Sequence, residues 1–188
     1  MMKDLVVKNR SYRRFHENEM VSADTLRSLV NLGRLSASGA NLQPLKYILS
    51  NTPEQNHLIF SCLAWAGYLK DWHGPEEGER PSAYIVMLGD TRIATTFGCD
   101  HGIAAQSIML GAVEAGLGGC MIGSIRRENL RNTLEIPEYL DILLVLALGR
   151  PLEEVMLEAG VGEGAVKYWR DAAGVHHVPK RSLEEVIL

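Results

Sequence analysis

A chain of 188 residues, 46% of them hydrophobic and 22% charged, suits one globular domain with a real core, or a subunit that completes its core by pairing. A net charge of -4 with mixed signs argues against a nucleic-acid surface. Three cysteines, Cys62, Cys99 and Cys120, are odd in number, lack metal-ligand spacing and follow no secretory signal, which points to buried free thiols in a reducing cytoplasm.

Met2 to Lys8 reads as a short amphipathic segment. Beyond it, Arg10-Ser11-Tyr12-Arg13-Arg14 places three arginines and a serine within five residues. The guanidinium fork matches phosphate and a hydroxyl adds a donor, so the cluster suits a phosphoryl group; the alternative is a solvated basic turn. Ser22 or Asp24 caps a helix in which Leu26, Leu29, Val30 and Leu32 recur at helical spacing up to about Leu35. Ser36 to Pro44 is a small polar loop before the strand-like Lys46 to Ser50. It is either punctuation or, through its serines, asparagine and glutamine, a set of donors and acceptors suited to the edge of a heterocycle.

Thr52-Pro53-Glu54-Gln55 has the cap, the first-turn proline and the returning glutamine of a helix start, and the helix is expected to run to about Tyr68. Asp71 to Pro81, rich in charge, glycine and proline, is expected as a mobile surface loop and a candidate lid. Ala83 to Leu88 and Ile142 to Leu148 are continuous apolar runs, as in strands covered on both faces. Between them, Asp100 to Leu117 predicts a helix apolar nearly all round, which must be enclosed by protein or by membrane. Asp100, His101, Gln106 and Glu114 interrupt it, so it falls short of the roughly 18 apolar residues of a spanning helix. Gly118 to Gly123 then reads as a glycine-rich turn, either a plain helix C-cap or bare backbone offered to a flat ligand. Ser124 to Glu135 predicts a helix ended by Pro137. His176 to Arg181 is extended, with two cations after Pro179, and an apolar tail of Leu183, Val186, Ile187 and Leu188 needs something to dock on. Helical layers alternating with central strands make an α+β sandwich.

The histidines lack carboxylates or cysteines at ligand spacing, so no metal site is expected, and no Gly-x-Ser-x-Gly elbow or P-loop occurs. Gly116-Leu117-Gly118-Gly119 follows a helix rather than a strand, which excludes a standard Rossmann fingerprint.

Arg10 to Phe15, Ser38 to Pro44, Asp100-His101-Gly102 with Gln106, Gly116 to Gly123, Leu148-Gly149-Arg150-Pro151 and Pro179-Lys180-Arg181 together resemble the nitroreductase family of flavoenzymes, in the family's order from end to end. The resemblance implies a three-layer α+β fold with a central, mostly antiparallel sheet flanked by helices. It also implies one FMN-binding domain over residues 1-188, an intertwined homodimer with the flavin between subunits, and a tail, from about residue 175 to 188, docked on the partner. Arg10, Ser11 and Arg13 match the phosphate-binding motif, and Lys180 and Arg181 its C-terminal basic pair. Arg14 is expected to be solvated. Ser38, Asn41 and Gln43 match the loop that meets the isoalloxazine, usually from across the dimer, and Cys120, Ile122 and Gly123 match the turn against the flavin ring, with a backbone N–H near N5.

Three positions depart from the family. Asn9 stands where many members have another arginine, Leu45 replaces an aromatic residue, and Ile122 replaces an acidic residue that some members place near N5. The implied reaction is a ping-pong transfer of electrons from NAD(P)H through flavin N5 to a nitroaromatic, quinone or other small oxidised acceptor, with no side-chain acid or base required of the protein. Two alternatives stay open: a flavin sensor or store without turnover, and a reductase specialised for one metabolite.

Overall fold

The capping and apolar patterns become helices and strands in the computed structural model, which describes residues 1–69, 71–160 and 166–188. Along the chain these are α1 (Met2–Lys8), α2 (Ala23–Leu35), a 3-10 turn (Gly39–Asn41), β1 (Leu45–Ser50), α3 (Pro53–Ser61), β2 (Ala83–Asp90), α4 (Asp100–Glu114), β3 (Gly118–Ile122), α5 (Arg127–Thr133), β4 (Leu140–Gly149), β5 (Val155–Ala159), β6 (Trp169–Arg170) and β7 (His176–Lys180). The predicted caps are in place: Ser22 Oγ accepts from Thr25 N–H at 3.1 Å, and Thr52 Oγ1 from Gln55 N–H at 3.4 Å.

One sheet has the order β1-β2-β4-β3, every pair antiparallel. All eight residues of β2 are buried, because helices cover both faces. On one side Ala83, Ile85 and Met87 pack with Leu26 and Leu29 of α2 and with Ala104, Ala105, Ile108 and Ala112 of α4. On the other, Tyr84, Val86 and Leu88 pack with Ile59 of α3 and Leu130 of α5. Each large aliphatic side chain so enclosed contributes roughly 1.5–3 kcal/mol, and alternation along β2 feeds both cores from one strand. The result is the expected three-layer arrangement with a wholly antiparallel central sheet. Helices α2 and α4 cross closely at Gly111, where a Cβ would lie 2.3 Å from Leu32 Cδ1.

Several boundaries differ from expectation. Helix α3 stops at Ser61 rather than near Tyr68, since Leu63 turns inward to bridge Ile125 and bury itself. Helix α4 ends at Glu114, and Gly118–Ile122 is an edge strand paired to β4, not a turn. Helix α4 buries one side only; Ile103 stays exposed on the other. Cys99 is exposed, while Cys62 and Cys120 are buried. Strands β5, β6 and β7 form a second sheet, order β5-β7-β6, that the apolar pattern did not announce. No helix among the described residues is long and apolar enough to cross a membrane.

Candidate functional site

The chain leaving α1 runs alongside the free edge of β3. Ser11 forms a parallel bridge with Gly119, and Tyr12 N–H donates to Gly119 O at 3.0 Å. Glycine is required there, because a Cβ on residue 119 would sit 2.3 Å from Ala147 O and 2.9 Å from Met109 Cε. Strand β7, together with Tyr168, closes the opposite side. Between the two sheets lies a cleft of about 320 Å³ whose polar lining is Asn9, Arg10, Ser11, Arg13, Gln106, Tyr168, His176 and Lys180, with no aspartate or glutamate among its lining residues. In a chain of net charge -4 that acid-free wall with three cations concentrates positive potential in one place. Its donor set, guanidinium forks, an ammonium and a hydroxyl, fits a phosphate monoester.

Arg13 is 8% exposed and held on several sides. Its guanidinium carbon lies 4.7 Å from the Tyr168 ring centre, and Nη1 donates to Ser11 O at 3.2 Å and reaches His176 Nε2 at 3.1 Å. Its backbone N–H donates to the buried carboxylate of Glu153, which also takes Arg14 N–H at 3.2 Å and Arg170 Nη2 at 2.8 Å. Burial, then the neighbouring Arg13 and Arg170 cations, lower the His176 pKa to about 4. Arg10 Nη2 donates to Val6 O at 2.7 Å, which ties the cluster to α1. Arg14 is not solvated as expected: Nε donates to Glu79 Oε2 at 2.7 Å in a two-pronged pair that raises the arginine pKa and lowers that of Glu79. That pair, and Glu17 accepting from Gly78 N–H at 2.6 Å, pin the 71–81 segment considered as a lid.

Lys180 lines the cleft, whereas Arg181 lies outside it, with Nη1 3.9 Å from Glu185 Oε1. The Ser38 loop lies on a separate cavity of about 230 Å³ lined by Ser38, Gln43 and Asp100. There Ser38 Oγ donates to Asp100 Oδ2 at 2.6 Å and accepts from Gln43 N–H at 3.0 Å. Gly39 N–H donates to Asp100 Oδ1 at 2.9 Å, so the first residue of α4 shapes the loop. Ala40, Asn41 and Gln43 adopt φ of 48°, 56° and 54°, a run of left-handed non-glycine residues of the kind found where a loop is held ready for a ligand. One chain therefore does not bring Ser38, Asn41 and Gln43 together with Arg10, Ser11, Arg13 and Lys180.

In β3 the side chains of Cys120 and Ile122 belong to the core on the α3/α5 side, and Gly123 is exposed beyond the strand. Burial raises the Cys120 pKa, against lowering by Arg13 and a hydrogen bond to Ser11, so its thiol is inert at neutral pH. The cleft side of β3 is formed by Gly119 and Met121. Met121, Met109, Tyr168, His176 and Val178 were not foreseen as lining residues; the period-2 alternation from Cys120 would have selected Met121, had the segment been read as a strand.

A family model, Nitroreductase family, matches residues 6–66 and 79–150. A curated NADPH-dependent oxidoreductase of Staphylococcus aureus (strain MRSA252) is 27% identical over 170 residues, covering 80% of this chain and 65% of the relative; the chain thus spans less than two thirds of the length of the curated relatives it matches. Among solved structures, an FMN-dependent nitroreductase from Clostridium difficile R20291 superposes with a TM-score of 0.64 at 22% identity, over 80% of this chain and 87% of that one. A nitroreductase-like protein from Streptococcus mutans gives 0.66 at 15% identity, over 81% and 91%. At these identities the likeness to the solved structures is one of fold.

Proposed function

Since this chain belongs to the nitroreductase family, we propose that it is an FMN-dependent oxidoreductase that passes electrons from NAD(P)H to a small oxidised acceptor such as a nitroaromatic or a quinone. The observation that carries this reading is the acid-free cleft of Arg10, Ser11, Arg13 and Lys180 walled by Gly119. FMN, when bound, supplies the electron-carrying chemistry. The chain's own contribution is binding and orientation. Arg10, Arg13 and Lys180 neutralise the phosphate charge and Ser11 adds a neutral donor. Met109 and Met121 offer an apolar, adaptable wall beside it. Asn9, where many family members carry an arginine, keeps a donor but contributes no charge to the cleft. The names of the relatives, an NADPH-dependent oxidoreductase and an FMN-dependent nitroreductase, support the reading.

The working unit is a homodimer in which residues 1-188 form one FMN-binding domain and the Ser38 loop of each chain completes the partner's site. Two observations support it: that loop sits on its own cavity, remote in lining from the phosphate cleft, and apolar side chains lie open at Val6, Ile103, Leu183, Val186 and Ile187. The three free cysteines support a cytoplasmic location.

Purified protein should release FMN rather than FAD on denaturation, run at twice the chain mass in light scattering, and oxidise NADH or NADPH when a quinone is supplied. FMN bound without nicotinamide oxidation would make it a sensor or store instead. Folded protein that neither retains nor rebinds FMN would defeat the proposal.

A further inference from the structure

His176 stands on β7, the middle strand of the second sheet, paired with β5 on one side and β6 on the other. The residue is 1% exposed, and its backbone N–H donates to Glu154 O at 2.9 Å, so the ring has a fixed base. Its Nε2 lies 3.1 Å from Arg13 Nη1. A guanidinium is always protonated and has no acceptor, so this contact is a hydrogen bond only when Nε2 brings the lone pair. The neutral ring then carries its proton on Nδ1. That Nδ1–H is buried without a partner among the described residues. Leaving a buried donor unmade is costly, and a position selected for packing alone would be filled by an apolar side chain of similar size. The ring stands where its other nitrogen meets Arg13.

Nη1 of Arg13 has two hydrogens, and Ser11 O and His176 Nε2 are placed to take both. The Tyr168 face, 4.7 Å from the guanidinium carbon, sets the plane of the fork. What Arg13 has left among the described residues is its Nε and Nη2 edge, the side that pairs bidentately with an oxyanion. We propose that His176 is the positioning residue of the cleft: its Nε2 and the Ser11 carbonyl occupy Arg13 Nη1, so that the Nε–Nη2 edge is presented to the phosphate of FMN. The inference rests on the functional reading above. His176 acts through Arg13.

The test compares His176→Leu, His176→Gln and His176→Asn with the parent protein, reading FMN affinity by titration of the apo protein and stability by urea unfolding. A glutamine amide oxygen can take the place of Nε2, an asparagine oxygen falls short of it, and leucine has no acceptor. His176→Leu and His176→Asn should bind FMN about tenfold more weakly or worse, and His176→Gln should stay within roughly threefold of the parent. In His176→Leu the unpartnered Nδ1–H is gone but Arg13 Nη1 loses an acceptor, so the two effects oppose and the urea midpoint should change little. A glutamine variant as damaged as leucine, or affinities that simply follow stability, would overturn the proposal. Inorganic phosphate is titrated in parallel with each variant. If the parent protein binds phosphate with the same ranking but refuses FMN, the flavin reading fails and the role of His176 stands; if it binds neither, both fail.

Discussion

In the four-stranded sheet all eight residues of β2 are buried and Ile85, Val86, Leu146 and Leu148 have no exposed surface, while in the three-stranded sheet no residue of β5 is buried. The second sheet is instead stitched by polar contacts. Arg170 pairs with the buried Glu153 at 2.8 Å, and His177 sits between Glu158 at 2.5 Å and Asp171 at 3.2 Å. Trp169 stacks on His177 with ring centres 4.0 Å apart. The first sheet falls within the residues matched by the family model; the second lies beyond residue 150, outside them. A scaffold held by non-directional burial tolerates varied sequence, whereas a sheet held by directional contacts depends on particular partners. The cleft forms where the two meet, taking Arg10, Ser11, Arg13 and Met121 from one side and Tyr168, His176 and Lys180 from the other.

That contrast is broken most strongly at Glu153, whose carboxylate ties Arg13 and Arg14 to Arg170. Glu153→Ala leaves the largely enclosed Arg170 cation and the Arg13 and Arg14 N–H groups without their acceptor and should cost about 3 kcal/mol, read by urea unfolding. If the two sheets differ as described, hydrogen exchange should rise first in 153–160 and 166–180 and leave β2 protected; uniform loosening would show that the second sheet shares the core's cooperativity.

Arg13 and Arg14 sharpen the comparison next. Removing one charge-assisted contact at ~1.5–3 kcal/mol, Arg13→Ala should weaken FMN binding about tenfold to a hundredfold. Arg14→Ala, which loses the Glu79 pair outside the cleft, should lower stability by about 1 kcal/mol and change affinity little. Equal losses of affinity would mean that the cluster acts only as a diffuse positive field.

Smaller effects separate the neighbouring histidines. Hydrogen bonding to Asp171, then to Glu158, raises the His177 pKa, so its contribution to stability is complete below the ordinary histidine value near 6.5 and is lost as pH rises through the raised one. His176 has the opposite sign. Its pKa is lowered to about 4, so its neutral form favours the fold above about 6.5, and stability falls as pH drops from there toward 4. Imidazole NMR titrations should show two midpoints displaced in opposite directions, and Asp171→Asn should draw the His177 midpoint downward. Coincident midpoints would remove the distinction.

Much of the scaffold was legible because burial writes itself into sequence. The doubly covered strands at 83–88 and 142–148, the capped helices and the basic cluster at 10–14 all have local signatures. The reading of Gly118–Ile122 as a turn failed because its glycines, which serve close approach to Tyr12, Pro151 and Ala147, look like loop punctuation. Of the second sheet only β7, read as extended from His176, was foreseen; the rest was silent for a different reason: its strands are short and partly exposed, and the contacts of Arg170 and His177 join residues up to 19 apart with no periodic pattern. Arg14 was misread as solvated because Glu79, its partner, is 65 residues away.

The central claim is that the meeting place of the two sheets grips a phosphate on a flavin. Titration of the apo protein with FMN and with riboflavin, which differ only in that phosphate, tests it most directly. Contacts from Arg10, Arg13 and Lys180 predict that FMN binds at least a hundredfold more tightly, with a preference that shrinks as salt is raised. Equal affinity for the two flavins would contradict it.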